Sequence, residues 1–299
     1  MHILLTGATG YVGSAVLDAL LRGGHHVTAL VRRRAQAERL ATRGVTAIVG
    51  DLGAPDTYLP SIATQDAVVH TALESSAKRV EKDAQLLDAL LPAFQSSAKA
   101  RTFVYTSGVW VLGYTPRAAD ESAMPNPVAF SAWREPHERR VLDAHGNGLR
   151  TLVIRPGIVY GGGRGIVCDL LKDALNGLVR VMGSGENRWA SVYDRDLGDF
   201  YARVVAVPDA SGIFHATDEA DERVIDIVDS IAGHVPMRPD IRHVPLEEAR
   251  HKLGTYADAL AVDQRVRSPR GRALGWAPTL RSVSGNVARL LEEFRASRA

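Results

Sequence analysis

A single cysteine, Cys168, stands in a chain of 299 residues, so no internal disulfide can form and a reducing compartment is expected. It follows Ile166 and Val167 in an apolar run, the setting of a packed thiol rather than a nucleophile. Long hydrophobic runs are missing as well: none approaches the roughly 18 residues that span a bilayer. The opening "MHILLTGATG" enters a strand-like run without a basic leader or cleavage site, so a cytoplasmic protein with no membrane partner is expected. Charge of one sign is barely in excess, with 36 Lys+Arg against 34 Asp+Glu, which gives no basic field for nucleic acid. Metal ligands in a usable spacing are absent. His25 and His26 are adjacent and would point to opposite faces of a strand, and no H-E-x-x-H or cysteine pair occurs, so no metal is expected. The G-x-S-x-G elbow of one hydrolase class is also missing.

What is present is an alternation. Residues 2–6, 26–31, 45–49, 66–71, 102–106 and 149–156 are short runs rich in β-branched residues, and helix-like stretches separate them. In "SAVLDALLRGG" the apolar stripe Val16, Leu17, Leu20 and Leu21 ends at Gly23 and Gly24, natural stop residues for a helix. Strands apolar on both faces, each followed by a helix, imply a parallel sheet covered on both sides: an α/β, Rossmann-type doubly wound fold. After Pro156 the rhythm loosens. Strand-like 212–217 and 241–246 flank helix-like 224–233, and a final helix is expected from about Leu280 to Arg298. A nucleotide-binding domain over 1–155 and a smaller mixed α/β substrate-binding region over 156–299 are expected, with some segments of the second returning to the first. There are no internal repeats and no low-complexity tract.

"LTGATGYVG" places Gly7, Gly10 and Gly13 after the first strand and at the opening of the first helix. There, glycines allow a tight turn and close approach of backbone to a pyrophosphate at a helix N-terminus. The second strand ends in Arg32, Arg33 and Arg34 with no acid. A carboxylate at that place would bond a ribose 2′-hydroxyl, whereas arginine accommodates a 2′-phosphate, so NADP(H) is expected over NAD(H).

Together with "GDL" at 50–52, "HTA" at 70–72, "YTSG" at 105–108, "RPGIVYG" at 155–161, "VYDRDLGDFYARVV" at 192–205 and "LGWAPTL" near the C-terminus, this loop resembles the extended short-chain dehydrogenase/reductases. The nearest resemblance is to their NAD-dependent epimerase/dehydratase branch, and it covers nearly the whole chain. It implies cofactor contacts at Gly7, Thr9, Gly10, Tyr11, Val12, Gly13, Thr71, Ala72, Thr106 and Gly157, with Asp51 and Leu52 beside the adenine and Pro156 beside the nicotinamide. Arg32 and Arg33 join them from the second strand. It also implies a small-molecule substrate, a nucleotide sugar in many relatives, and a homodimer through helices at 76–99 and 134–145.

Enzymes of this kind use a Ser/Thr, a Tyr and a Lys four residues after the Tyr: the phenol, its pKa lowered by the ammonium, exchanges a proton with the substrate oxygen. Aligned on Glu138, Phe130 stands at the tyrosine and Arg134 at the lysine; aligned on Gly113, Gly108 stands at the serine, with Ser107 just before it. No tyrosine anywhere is followed four residues on by lysine. Phenylalanine carries no proton and arginine stays protonated, although Arg134 can still bond ribose hydroxyls or an anion. Substitute groups are Ser107, Tyr114, Tyr160 and Arg134, with Glu135 and His137 nearby. Phe130, Trp133, Arg188, Trp189 and Tyr193 are candidate substrate contacts, the middle pair because it follows the glycine-rich "GSGEN" at 183–187. Pro136 belongs in a helix's first turn, leaving 129–134 as a loop or kinked entry. Three functions fit: an NADP(H)-dependent oxidoreductase or epimerase-like enzyme with a non-standard site, a non-catalytic NADP sensor, or a cofactor-assisted elimination or rearrangement.

Overall fold

A computed structural model describes residues 1–95 and 99–298. The first strands and helices alternate as β1 (His2–Thr6), α1 (Tyr11–Arg22), β2 (His26–Val31), α2 (Arg34–Ala41), β3 (Thr46–Val49), α3 (Leu59–Ile62), β4 (Ala67–His70), α4 (Arg79–Gln95) and β5 (Arg101–Thr106). Then follow α5 (Arg134–Asp143), β6 (Leu149–Pro156), β7 (Ile158–Tyr160), α6 (Gly165–Leu175), β8 (Leu178–Met182), β9 (Arg188–Trp189), β10 (Ser191–Tyr193), α7 (Asp194–Ala206) and β11 (Gly212–Ala216). The chain ends in β12 (Glu222–Arg223), α8 (Val224–His234), β13 (Asp240–Val244), α9 (Leu246–Leu253), α10 (Tyr256–Ala261), α11 (Pro269–Ala273) and α12 (Val287–Ala296).

The main sheet runs β11-β6-β5-β4-β1-β2-β3, and the pairings from β6 across to β3 are parallel. The order reverses between β1 and β4, the place where open α/β sheets bind ligands beyond their strand ends. All four residues of β4 are buried, and β1 is buried after His2, because helices cover both faces. Helix α1 ends as its glycines predict: Gly23 N–H donates to the Ala19 carbonyl at 2.9 Å, and Gly24 turns with φ +73°. Pro136 is the third residue of α5, where the N–H it lacks would have had no helical partner. The final helix is shorter than expected. A 3-10 turn at Ser284–Asn286 precedes it, and α12 begins only at Val287.

The chain forms two compact units, each built from three segments. One comprises Met1–Ser107, Pro136–Ile154 and Gly198–Phe214; the other comprises Gly108–Glu135, Arg155–Leu197 and His215–Ala299. The two units thus interleave along the chain: 198–214 belongs with the sheet unit and 108–135 with the second. The first unit's core includes Leu4, Val68, Phe103, Leu86, Leu87 and Leu90. The α4 stripe Leu86, Leu87, Leu90 and Leu91 packs into this core. Of the expected helix 76–99, residues 96–98 lie outside the described residues. The second unit's core gathers Tyr160, Trp189, Tyr193, Ile227 and Leu290. Among the described residues no helix is long and apolar enough to cross a membrane.

Candidate functional site

The switch point of the sheet opens into a pocket of about 420 Å³ that lies wholly within the first unit. Its floor is the turn from β1 into α1. Gly7 has φ +79°, and a Cβ there would lie 2.7 Å from the Ala72 backbone nitrogen. A Cβ on Gly13 would fall on the Gly7 carbonyl. Gly10 differs: its N–H donates to the Gly7 carbonyl at 2.8 Å, and a Cβ would meet only that carbonyl, at 3.1 Å. Gly7 and Gly13 thus pack the loop against β4 and α1, while Gly10 leaves the backbone open toward the pocket, the division of labour a pyrophosphate cradle requires.

Of the expected cofactor residues, Gly7, Thr9, Gly10, Tyr11, Val12, Gly13, Arg32, Asp51, Leu52, Thr71 and Ala72 line this pocket. Arg33 does not: it is the N-cap residue of α2, its N–H donating to the Gln36 side chain at 3.2 Å. Arg34 lies within α2, exposed beside Glu38. Of the basic triplet only Arg32 lines the pocket, because α2 begins at Arg34 with Arg33 as its N-cap. Thr106, Arg134, Pro156 and Gly157 also lie outside the lining. The Thr106 hydroxyl is 2.7 Å from that of Tyr201, and a Cβ on Gly157 would fall on the Ala190 carbonyl. Gln36, Glu74 and Lys82 line the pocket without having been foreseen. The Gln36 amide donates to the Thr9 hydroxyl at 3.0 Å, and Lys82 holds Asp51 at 2.7 Å. That hydrogen bond, first among the causes, holds the Asp51 carboxyl below its ordinary range.

Beneath the pocket lies a buried polar hub. Asp83 on α4 accepts from Tyr105 at 2.8 Å, from His137 Nδ1 at 2.6 Å and from His70 Nε2 at 3.1 Å. The other ring nitrogen of His70 reaches the hydroxyl of Thr6, a pocket residue, at 2.7 Å. Burial alone would push the Asp83 carboxyl up, but its hydrogen bonds outweigh that and hold it far below the usual carboxylate range. His137, a candidate near the chemistry, is thereby tied into the sheet unit. A signal for the hub was available: Asp83 precedes Leu86, Leu87 and Leu90 at i+3, i+4 and i+7, on the apolar face of its helix.

The substitute proton groups separate clearly. Tyr160 is fully buried, its hydroxyl donates to the Leu280 carbonyl at 3.3 Å, and burial pushes its pKa far up. It is a core residue and not a proton donor. Tyr193 is also buried, bonded to Glu293 at 2.5 Å and to Arg289 at 3.0 Å, which joins α12 to the start of α7. A substrate role for Tyr193 is thus replaced by a structural one. Trp189 is buried with its indole N–H on the Leu260 carbonyl at 2.9 Å, and Arg188 stands 3.7 Å from Asp263. Tyr114 is 61% exposed. Phe130 packs in a half-buried aromatic group with Trp110 and Tyr256, at ring separations of 5.7 and 5.1 Å. The Arg134 guanidinium lies 4.5 Å above the Trp133 ring. Ser107, just beyond β5, is buried, and its hydroxyl has no hydrogen-bond partner among the described residues. Among them, too, no cluster of side chains has the makings of a metal site.

A parallel sheet with a glycine turn at its switch point and a pocket above it defines a dinucleotide-binding protein of the Rossmann type. The chain belongs to the NAD dependent epimerase/dehydratase family, whose profile matches residues 3–216, and is thus an extended short-chain dehydrogenase/reductase. An uncharacterised protein of Schizosaccharomyces pombe is 30% identical over 96% of this chain and 98% of its own. The 2-alkyl-3-oxoalkanoate reductase of Stenotrophomonas maltophilia is 30% identical over 71% of this chain and 68% of its own. Solved structures share the fold. MoeE5 in complex with UDP-glucose and NAD has a TM-score of 0.83 at 20% identity, covering 100% of both chains. Human epimerase family protein SDR39U1 with NADPH has a TM-score of 0.78 at 19% identity, covering 98% of this chain and 99% of that one. The family binds a nicotinamide dinucleotide, and its relatives are reductases, epimerases and dehydratases, so the chain is an enzyme of that general kind.

Proposed function

We propose that the chain is an NADP(H)-dependent oxidoreductase acting on a small carbonyl compound through a non-standard active site. The observation that carries it is Arg32, which follows β2 and lines the nucleotide pocket at the place where a ribose-binding acid would stand. The likeness to the alkanoate reductase supports carbonyl reduction, and the NADPH of the human structure supports the phosphorylated cofactor. The pocket suits the group: its floor leaves open backbone at Gly10, and its rim carries Arg32 and Lys82. NADPH, when bound, supplies the hydride.

The chain's own residues must then hold the substrate oxygen and manage its proton. In this reading Phe130 and Arg134 stand where relatives carry the phenol and the ammonium. Ser107 takes the oxygen-holding role in this reading, because its buried hydroxyl is unspent.

Calorimetric titration with NADPH and NADH, followed by a carbonyl panel read by loss of reduced-nicotinamide absorbance, tests the proposal. Tighter binding of NADPH and turnover of at least one carbonyl are expected. Binding of neither nucleotide would sink it. Tight NADPH binding with no turnover on any carbonyl would leave a nucleotide sensor in its place.

A further inference from the structure

The rim of the nucleotide pocket carries a charge arrangement that cradling a pyrophosphate does not require. Arg32 donates to Glu74 Oε2 at 3.3 Å, and Lys82 Nζ stands 3.7 Å from that same oxygen while it holds Asp51 at 2.7 and 3.0 Å. One carboxylate oxygen is thus shared by two cations from different elements, the end of β2 and the first turn of α4. The two sides of the Arg32 pair differ in freedom. The Glu74 side chain is only 13% exposed, whereas that of Arg32 is 66% exposed. The guanidinium can swing away, and the carboxylate cannot follow it. Asp51 has a second partner, the Gly53 N–H at 2.8 Å, so it does not depend on Lys82 alone.

We propose that Glu74 competes with the 2′-phosphate of NADP(H) for Arg32, and that Lys82 makes the exchange easy by taking over the released carboxylate. This rests on the NADP reading above. A phosphate monoester offers a guanidinium nearly two charges and a bidentate face, so it displaces a single carboxylate oxygen. Losing Arg32 would leave Glu74 a largely buried, unpaired charge, which is expensive, unless another cation is within reach. Lys82 is that cation. A ribose with a free 2′-hydroxyl brings no charge to exchange, so Arg32 stays with Glu74 when NAD(H) binds. Glu74 therefore tempers the cofactor preference that Arg32 creates.

Calorimetric affinities for NADPH and NADH in four variants provide the test. Glu74→Gln tightens NADPH by about threefold to fivefold, the range of a partly exposed ion pair, and leaves NADH within about twofold. Lys82→Met, which removes the fallback partner, weakens NADPH by a similar factor. In an Arg32→Ala background, Glu74→Gln changes NADPH binding no further. Weaker NADH binding in Glu74→Gln, or unchanged NADPH binding, would overturn the proposal and make Glu74 a ribose ligand or a bystander. Failure of the underlying reading looks different: the unsubstituted protein prefers NADH, and Arg32→Ala alters neither affinity.

Discussion

Gly13, in the first turn of α1, and Ser107, just after β5, respond to substitution in opposite ways. A Cβ at Gly13 falls on the Gly7 carbonyl, so Gly13→Val must push the turn away from α1. A stability loss of about 1–3 kcal/mol is expected from the overpacking, with NADPH affinity reduced by more than about tenfold as the cradle opens. Thermal melts and calorimetry check the two effects separately. Ser107→Ala removes a buried hydroxyl that bonds nothing among the described residues, so the melting temperature should hold or rise. If the hydroxyl holds the substrate oxygen, turnover falls by about tenfold to a hundredfold while NADPH affinity stays put. A melting temperature lowered together with turnover would assign Ser107 to the scaffold. At this scale the glycine loop was legible in the sequence, because spacing and position define it. Burial was not: Tyr160 and Trp189 carry the same side chains whether they face a cleft or a core, and three-dimensional packing settled it as core for both.

Among elements, the decisive contact joins α4 to α5 and to the ends of β4 and β5 through one carboxylate. Asp83→Ala leaves His70, Tyr105 and His137 without their shared acceptor, and a loss of about 3–5 kcal/mol is expected in urea unfolding at neutral pH. The sign with pH follows from the depressed carboxyl. Its stabilisation is complete above the unfolded-state value of about 3.9 and fades as the pH falls below it, because the unfolded chain then binds the proton first. The gap between Asp83→Ala and the unsubstituted protein should therefore narrow between about pH 4 and pH 2. A constant gap would mean that the hub acts through packing alone. The elements themselves were read well from sequence: β1, β2 and β6 begin and end where the apolar runs do. The basic triplet shows where such reading stops. Three arginines in a row look like one patch until a helix begins at the third and turns Arg33 and Arg34 away.

For the whole molecule, the second unit carries carboxyls shifted in the opposite sense to Asp83. Burial pushes Asp218 up to about 7 and Asp194 up to about 6. Asp218 is 3% exposed, and its Oδ2 has no hydrogen-bond partner among the described residues. A carboxyl with a raised folded value stabilises below the unfolded value and loses that contribution as the pH rises through the folded one. The contribution of Asp218 should thus fall by on the order of 2–3 kcal/mol between pH 5 and pH 8, and Asp218→Asn should become progressively more stable than the unsubstituted chain over that range. Parallel melting curves for the two proteins would show no such divergence if Asp218 stayed ionised throughout. Domain organisation was the least legible property. Composition changes near residue 155, but the units exchange segments at 107, 135, 154, 197 and 214.

That exchange governs how the protein can be made. Arg150, at the start of β6, donates to the carbonyls of Val204, Val205, Val207 and Ala210, and Arg22 meets Asp199. None of those acceptors exists until the ribosome has passed residue 199. The nucleotide-binding unit therefore waits on the nascent chain until α7 emerges, with the β6 flank of its sheet unprotected in the meantime. A stop codon placed at the apparent domain border would release a sheet with a bare edge, and chaperone capture rather than a compact fragment is its expected fate.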